Sequence, residues 1–397
     1  MSRKVWMVLS SGLILLFVVL TFLFNNEDEI LTKELYDDLY YKQTNWSISQ
    51  FPGNEPSYGG EQYAWGWSYI ANSLINMYKA TGDEKYLELF VPQADYIFTH
   101  TDEKLGVESF TNTNLSLPAW SDRGHYTAGK FNYTYPVHTG MITLPILRFV
   151  ETVKSNNLNQ FEDKADKFLE LSGRALAIHD KDYMWKDFSK SEGFYIGHPY
   201  GQGIVSEAGK IGVLNRISIY LAASGLYDKL NGSNIYTERI NKSLNYIKNS
   251  LLRYDEEYDS YYWSYWEEQV LEKPWEDISH ATITLYGLYI LHEEVGFSVF
   301  KEKDFKKFAN NIYKIIDDDT SPPKIRKFIH KRDEEKATYY SEEKNPYYHN
   351  VLDWSFLGIY DKEVFDKIEQ TYEQTNESMT TEEKLRSIGL YIYAKEK

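Results

Sequence analysis

The sequence predicts an all-α fold: a closed (α/α) toroid of about six helical hairpins, preceded by one N-terminal transmembrane helix. Three observations predict the ring. Helical segments come in consecutive pairs, the first member apolar nearly all round and the second amphipathic, as an inner ring of buried helices wrapped by an outer one requires. Short turns join the two helices of a pair, whereas long segments join one pair to the next. Convincing alternating strands are scarce, and the pairs lack the fixed period of a stacked solenoid.

The chain begins with Ser2, Arg3 and Lys4, followed by a nearly unbroken apolar run from Val5 to Phe24. Such a run crosses a bilayer as a helix. Arg3 and Lys4 before it, with Glu27, Asp28 and Glu29 after it, put the N-terminus inside and the bulk of the chain outside. The run is long for a cleaved signal, and no small-x-small site precedes Asn25 and Asn26, so an uncleaved signal anchor is expected. Residues 1–27 are read as cytoplasmic tip and anchor, 28–54 as a linker, and 55–397 as the toroid.

Within the toroid, Glu61 to Ala80 reads as a helix stopped by Thr81-Gly82-Asp83, and its partner runs through Tyr86, Leu87, Phe90, Ala94, Ile97 and Phe98. The second pair covers 137–154 and 160–179, the third 207–224 and 235–252, the fourth 276–296 and 302–317. Helices near 350–358, 361–374 and 380–395 complete or nearly complete the ring. The long connections are 101–136, 180–206, 253–275 and 318–349. In a ring they emerge on one side, at the N-terminal ends of the inner helices, and long ordered loops in a compact domain are usually functional.

Composition excludes several classes of function. With a net charge of −16 the chain has no clustered basic surface for nucleic acid. It has no cysteine, hence neither disulfides nor thiolate metal sites. Sequons at Asn45, Asn114, Asn132, Asn231, Asn241 and Asn376 arise readily in an Asn-, Lys- and Ser-rich chain, so the reading is an outward-facing bacterial protein. There is no His-Glu-x-x-His, and the nine histidines are scattered along the chain; His125, His138, His198, His280 and His349 could converge in space, but neither metal nor cofactor is expected.

The segment 274–292 holds the most telling residues. Glu276 and His280 stand four apart, on one helical face at the mouth of a helix that is otherwise apolar: Ala281, Ile283, Leu285, Leu288, Ile290 and Leu291. The chain carries 35 Tyr and 10 Trp, and clusters of these line the long connections. Their flat faces and polar edges suit sugar rings. With the Arg and His residues near them, the expected substrate contacts are Trp120, Arg123, His125, His138, His198, Tyr200, Tyr262, Trp263 and Trp275.

The hairpin plan, the turn Ala80-Thr81-Gly82-Asp83-Glu84-Lys85-Tyr86-Leu87 and the opening Trp275-Glu276-Asp277-Ile278-Ser279-His280 together make residues 55–395 resemble the toroidal carbohydrate-active enzymes. These include polysaccharide lyases, uronyl C5-epimerases and six-hairpin glycosidases. The resemblance implies a cleft for a polysaccharide or oligosaccharide substrate. A lyase or epimerase needs a base for the proton beside a uronate carboxylate, and groups that neutralise that carboxylate. His280 fits as base, Asn215 and Arg216 as neutralisers, and Tyr339 or Tyr340 as proton donor. Glu276 fits as the partner that orients His280 or shares a proton with the substrate. A hydrolase needs instead two carboxylic acids, for which Asp122, Glu207, Glu276, Asp277 and Asp353 are available. A non-catalytic glycan-binding or envelope-assembly protein is the third reading.

Overall fold

The computed structural model describes residues 31–44, 48, 59–109, 115–123, 131–199, 207–265, 275–317, 319–330 and 348–397. The anchor expected over residues 5–24 lies outside them. Among the described residues no helix is long and apolar enough to cross a membrane.

In chain order the helices are α1 (Lys33–Asp37, continued by a wide turn over Asp38–Thr44), α2 (Ser68–Thr81) and α3 (Lys85–Thr99). They continue with α4 (Pro136–Asn156), α5 (Glu162–Leu176), α6 (Leu214–Asn231), α7 (Thr237–Tyr246), α8 (Ile278–Ile290) and α9 (Glu302–Ala309). α10 (Tyr348–Leu352), α11 (Glu363–Thr375) and α12 (Thr381–Glu396) end the chain. α2 packs on α4, α4 on α6, α6 on α8, α8 on α10, α10 on α12, and α12 back on α2, which closes a ring. A cavity of about 50 Å³ on the axis confirms the closure: Tyr69, Met141, Ile219, Ile283, Asp353 and Arg386 all line it, one from each sector of the ring.

The burial pattern follows from this arrangement. α4 is buried at almost every position from Val137 to Val153, and α6 likewise from Leu214 to Leu226. α5 buries only the stripe Ala165, Phe168, Leu169, Ser172, Gly173, Ala175 and Leu176. Inner helices also approach one another closely. A Cβ on Gly287 of α8 would lie 2.7 Å from the Ser218 carbonyl of α6.

The last hairpin joins the two ends of the described chain. α1 packs on α12, with Tyr36, Leu39 and Tyr40 buried. Residues 33–44, inside the span expected as a linker, are therefore helical and packed on the ring, with Tyr36 bonded to Ser73 of α2 and Tyr40 accepting from Gln93 of α3. Boundaries shift elsewhere too. The third inner helix starts at Leu214 rather than 207, because Gly209 (φ 70°) and the bridge of Ile211 to Ile196 keep 207–213 out of helical geometry.

The connections hold the strands that the sequence hides. Four antiparallel ribbons occur among the described residues: β1–β2 (Asp122–Arg123 with Asn132–Tyr133) and β3–β4 (Trp185–Asp187 with Gly193–Tyr195). The other two are β5–β6 (Arg253–Asp255 with Ser260–Tyr262) and β7–β8 (Ile316–Asp317 with Lys324–Ile325). Each is associated with one long connection.

At the opposite end the ring is tied by a buried ion pair. Arg148 donates to Glu294 from Nε (2.9 Å) and Nη2 (2.7 Å), and its Nη1 reaches Asn72, Asn76 and the Tyr286 hydroxyl. α2, α4 and α8 are thereby joined across the axis, and all these donors are satisfied, as a buried guanidinium requires.

Candidate active site

The residues that line the axial cavity place a second layer above it. One helical turn towards the N-termini from Met141, Ile219, Ile283 and Asp353 stand His138, Arg216, His280 and Asn350. The mouth of the ring is thus polar, and the shaft below it is mixed, with Asn72, Asn76 and the Asp353–Arg386 pair beside Met141, Ile219 and Ile283.

Glu276 is held before the helix, not within it. Its backbone N–H donates to Trp263 (3.0 Å) and its carbonyl accepts from Ile329 (3.1 Å), so the residue is stitched on both sides. Asp277 is the N-cap of α8. Its Oδ1 accepts from the backbone N–H groups of Ser279 (3.0 Å) and His280 (3.1 Å), and from the Ser279 hydroxyl. Its Oδ2 lies 2.6 Å from His280 Nδ1, against 4.0 Å from that nitrogen to Glu276 Oε1. This corrects the expected pairing: Asp277, not Glu276, orients His280. An Asp three residues before a His at a helix start is the signal that shows it.

The two adjacent acids are driven apart. Glu276 is fully buried, and burial raises its pKa well above the usual carboxyl range; the neighbouring Asp277 charge adds to this, against the Trp263 N–H and Arg216. Burial also works to raise Asp277, but the hydrogen bond and charge of His280, with Ser279, outweigh it and hold Asp277 low. The pair is thus biased in opposite senses, Glu276 towards its neutral form and Asp277 towards the carboxylate. Trp263 Nε1 donates to Glu276 Oε2 (3.2 Å), so a proton on this carboxyl would sit on Oε1. That oxygen has no hydrogen-bond partner among the described residues, nor do Asn215 Oδ1 and Asn350 Nδ2, two more buried atoms of the mouth. Buried polar atoms without partners are uncommon and mark places that a ligand completes.

Arg216 connects the cluster to its neighbours. Its Nη1 binds Glu207 Oε2 (2.9 Å) and its Nη2 donates to the Tyr265 hydroxyl (3.3 Å). The Tyr265 ring lies 4.8 Å from that of His280. Burial raises the Tyr265 pKa and Arg216 opposes the rise. The Arg216 guanidinium also faces the Tyr135 ring at 5.9 Å. Glu207 lies nine residues from Arg216 across an irregular segment, a spacing that carries no sequence signal.

The structure brings together His280, Glu276 and Arg216 of the expected catalytic set, with Asn215 beside Arg216. Tyr339 and Tyr340 lie outside the described residues, as do His125 and Tyr200. Among the expected substrate contacts, Trp120 needs correction. It is 1 % exposed, its N–H donates to the Ile97 carbonyl, and its ring packs on Phe98, so it has no face for a ligand. Trp263 is equally buried and serves to hold Glu276. Tyr262 stacks on His330 at 3.8 Å with Trp275 across its edge. His138 is buried between Trp65 and Tyr135. Arg123 is exposed on the β1–β2 ribbon, and His198 lies against Tyr183.

Glu276, Asp277 and His280 also present one ligand atom each within 4.8 Å of one another, a spacing a single metal ion accepts. The His280–Asp277 hydrogen bond engages two of these groups with each other.

No family model matches the chain, and no curated protein matches it. Among solved structures the chain is similar to a sugar epimerase from a ruminal bacterium, with a TM-score of 0.47 and 13% identity, covering 78% of this chain and 74% of that one. It is also similar to an inactive variant of an alpha-1,6-mannanase of Salegentibacter sp. HEL1_6 in complex with alpha-1,6-mannotetrose, with a TM-score of 0.38 and 11% identity, covering 83% and 87%. Neither likeness assigns the chain to a family.

Proposed function

We propose that the chain is a carbohydrate-active enzyme that removes the C5 proton of a uronate residue in a polymer, leading to β-elimination or C5 epimerisation. One observation carries the reading: an Asp–His pair and a neutral buried acid meet at the mouth of the ring. Titratable neighbours whose environments push their pKa values apart are what acid–base chemistry at neutral pH requires.

In this mechanism Asp277 holds His280 Nδ1–H, so that Nε2 carries the lone pair and takes the C5 proton. Glu276 donates its Oε1 hydrogen to the uronate carboxylate, and Arg216 with Asn215 helps offset the charge that builds there. For elimination the electron pair forms the C4–C5 double bond, the C4–O4 bond breaks, and the departing oxygen takes a proton. Tyr265, beside both Arg216 and His280, is the described tyrosine best placed to give it. For epimerisation a proton returns to C5 from the opposite face.

A hydrolase is the second reading, favoured by the same neutral Glu276, which would serve as its acid. Against it, both oxygens of Asp277 are engaged and Glu207 is paired with Arg216. The apolar run 5–24 would anchor the ring on the outer side of a membrane.

The test incubates the full-length protein with a panel of uronic-acid polymers. Ultraviolet absorbance of an unsaturated product reports elimination, and exchange of the C5 proton in deuterated water reports epimerisation. New reducing ends with neither signal would overturn the proposal in favour of hydrolysis. Binding without turnover, unaffected by His280→Ala, would favour a glycan-binding protein.

A further inference from the structure

A second and larger cavity, of about 510 Å³, opens beside the mouth, between the first two long connections and the end of α5. Arg174, His179, Lys181, Tyr133, Tyr183 and His198 are among the described residues that line it, and none of its described lining residues is an Asp or Glu. In a chain of net charge −16 that exclusion is a pronounced local reversal. Its volume is within the roughly 300–1,000 Å³ of ligand sites.

We infer that this cavity is a subsite for a neighbouring anionic sugar residue of the polymer whose uronate reacts at His280. The inference rests on the reaction proposed above and names where the rest of that substrate lies.

The cavity adjoins the catalytic cluster. Tyr133 lines it, receives a hydrogen bond from the His198 backbone and is near enough to Glu207 and Arg216 to be influenced by both. Its ring lies 4.5 Å from that of Tyr135, whose ring faces Arg216. Tyr133 and Tyr135 are both buried and so form the partition between Arg216 and the cavity; a polymer engaging both sites would run along the rim of this partition. The wall is mainly apolar, with Leu115, Pro118 and Ile178 beside the Tyr133 and Tyr183 rings, as the apolar face of a pyranose prefers.

The uncompensated charge comes from one position. Lys181 is exposed, with no acidic partner among the described residues. Arg174 shares Glu103, which is not among the lining residues. His179 is neutral, since burial lowers its pKa to about 3, and its Nε2 meets the Thr139 hydroxyl at 2.8 Å. Burial lowers His198 as well. The histidines thus shape the cavity while Lys181 attracts the anion.

The test titrates the full-length protein with size-matched oligomers of galacturonate, glucuronate and mannuronate, and with their carboxyl-reduced neutral counterparts, followed by calorimetry. At least one acidic oligomer is expected to bind about tenfold more tightly than its neutral counterpart. Lys181→Ala is expected to weaken that binding up to about fivefold, the range of a solvent-screened ion pair, and Lys181→Glu to abolish the discrimination. Equal binding of acidic and neutral oligomers, or Lys181→Glu binding like the parent, overturns the subsite. If the parent turns over no polymer yet binds acidic oligomers through Lys181, the reaction fails and the subsite stands. If turnover is found and Lys181→Glu leaves both KM and binding unaltered, the reaction stands and the subsite fails.

Discussion

Replacing Asp277 with Asn separates the two tasks of its carboxylate. One is structural: as N-cap it accepts the backbone N–H groups of Ser279 and His280. Asn caps a helix about as well as Asp, so Asp277→Asn should stay within about 0.5 kcal/mol of the parent, whereas Asp277→Ala loses about 1 kcal/mol. In a folded region of roughly 370 residues, with an unfolding entropy of about 2.1 cal/mol/K per residue, that 1 kcal/mol is a fall in Tm of only about 1.3 °C. The second task is chemical. The carboxylate lies 2.6 Å from His280 Nδ1 and stabilises the imidazolium that forms when Nε2 takes a proton. An Asn whose oxygen stays on the backbone N–H groups turns its amide towards Nδ1, which moves the ring proton to Nε2 and removes the base. The expected loss in kcat is about 10²–10⁴-fold, or roughly 3–5 kcal/mol of barrier. Initial rates on the responsive uronate polymer, beside thermal unfolding of both variants, measure the two effects separately. Asp277→Asn within about threefold of the parent kcat, or as destabilised as Asp277→Ala, would refute the division of roles.

Glu276→Gln preserves an acceptor for Trp263 and the neutrality that burial imposes. Because the folded-state pKa of Glu276 is raised, its stabilising contribution is whole below the unfolded value near 4.5 and is lost as pH rises through the folded one. Urea unfolding between pH 4 and 8 should show the parent losing stability relative to Glu276→Gln as pH climbs; parallel profiles would mean that Glu276 is ionised in the fold. Arg148→Met strands Glu294 in the ring, at a cost of about 3–5 kcal/mol for breaking a buried pair. The lower end of that range is expected because Lys79 stays 3.3 Å from Glu294. Urea midpoints check this, and the double variant Arg148→Met, Glu294→Gln should recover part of the loss; no recovery would mean that packing rather than stranded charge sets it.

The ring was legible because burial imposes a period on the sequence. Inner helices such as α4 and α6 are apolar on every side since helices flank them on both sides and another layer covers them, and that pattern needs no knowledge of partners. The ribbons were not legible, since strands of two or three residues are too short to show alternation. The helical nature of 33–44 was masked by Asp37, Asp38 and Lys42 among its aromatics. In the site, local spacing placed Glu276 and His280 at the mouth but assigned their hydrogen bond to the wrong acid. Periodicity assumed that the helix began at Glu276, whereas Asp277 is its cap and Glu276 lies in extended chain. The approach of Glu207 and Tyr265 to Arg216 is a tertiary contact between connections, which no spacing rule encodes.

A strongly acidic chain that handles a polyanion must dispose of its own carboxylates near the substrate, and three acids of the mouth, beside the buried Asp122 near Tyr135, are disposed of differently. Glu276 is neutral because burial and the neighbouring Asp277 disfavour its charge. Asp277 is held towards its charged form, and that charge is balanced whenever His280 holds a proton, the state that the proposed abstraction would leave. Glu207 is compensated by Arg216. The adjoining cavity has no acid among its described lining residues. The negative charge of the chain is thus directed away from the surfaces a uronate would touch. A neutral polymer would not require this arrangement, and a hydrolase would want a second carboxylate left free. The distribution of charge, more than any single residue, is what favours an acidic sugar and proton abstraction at this mouth.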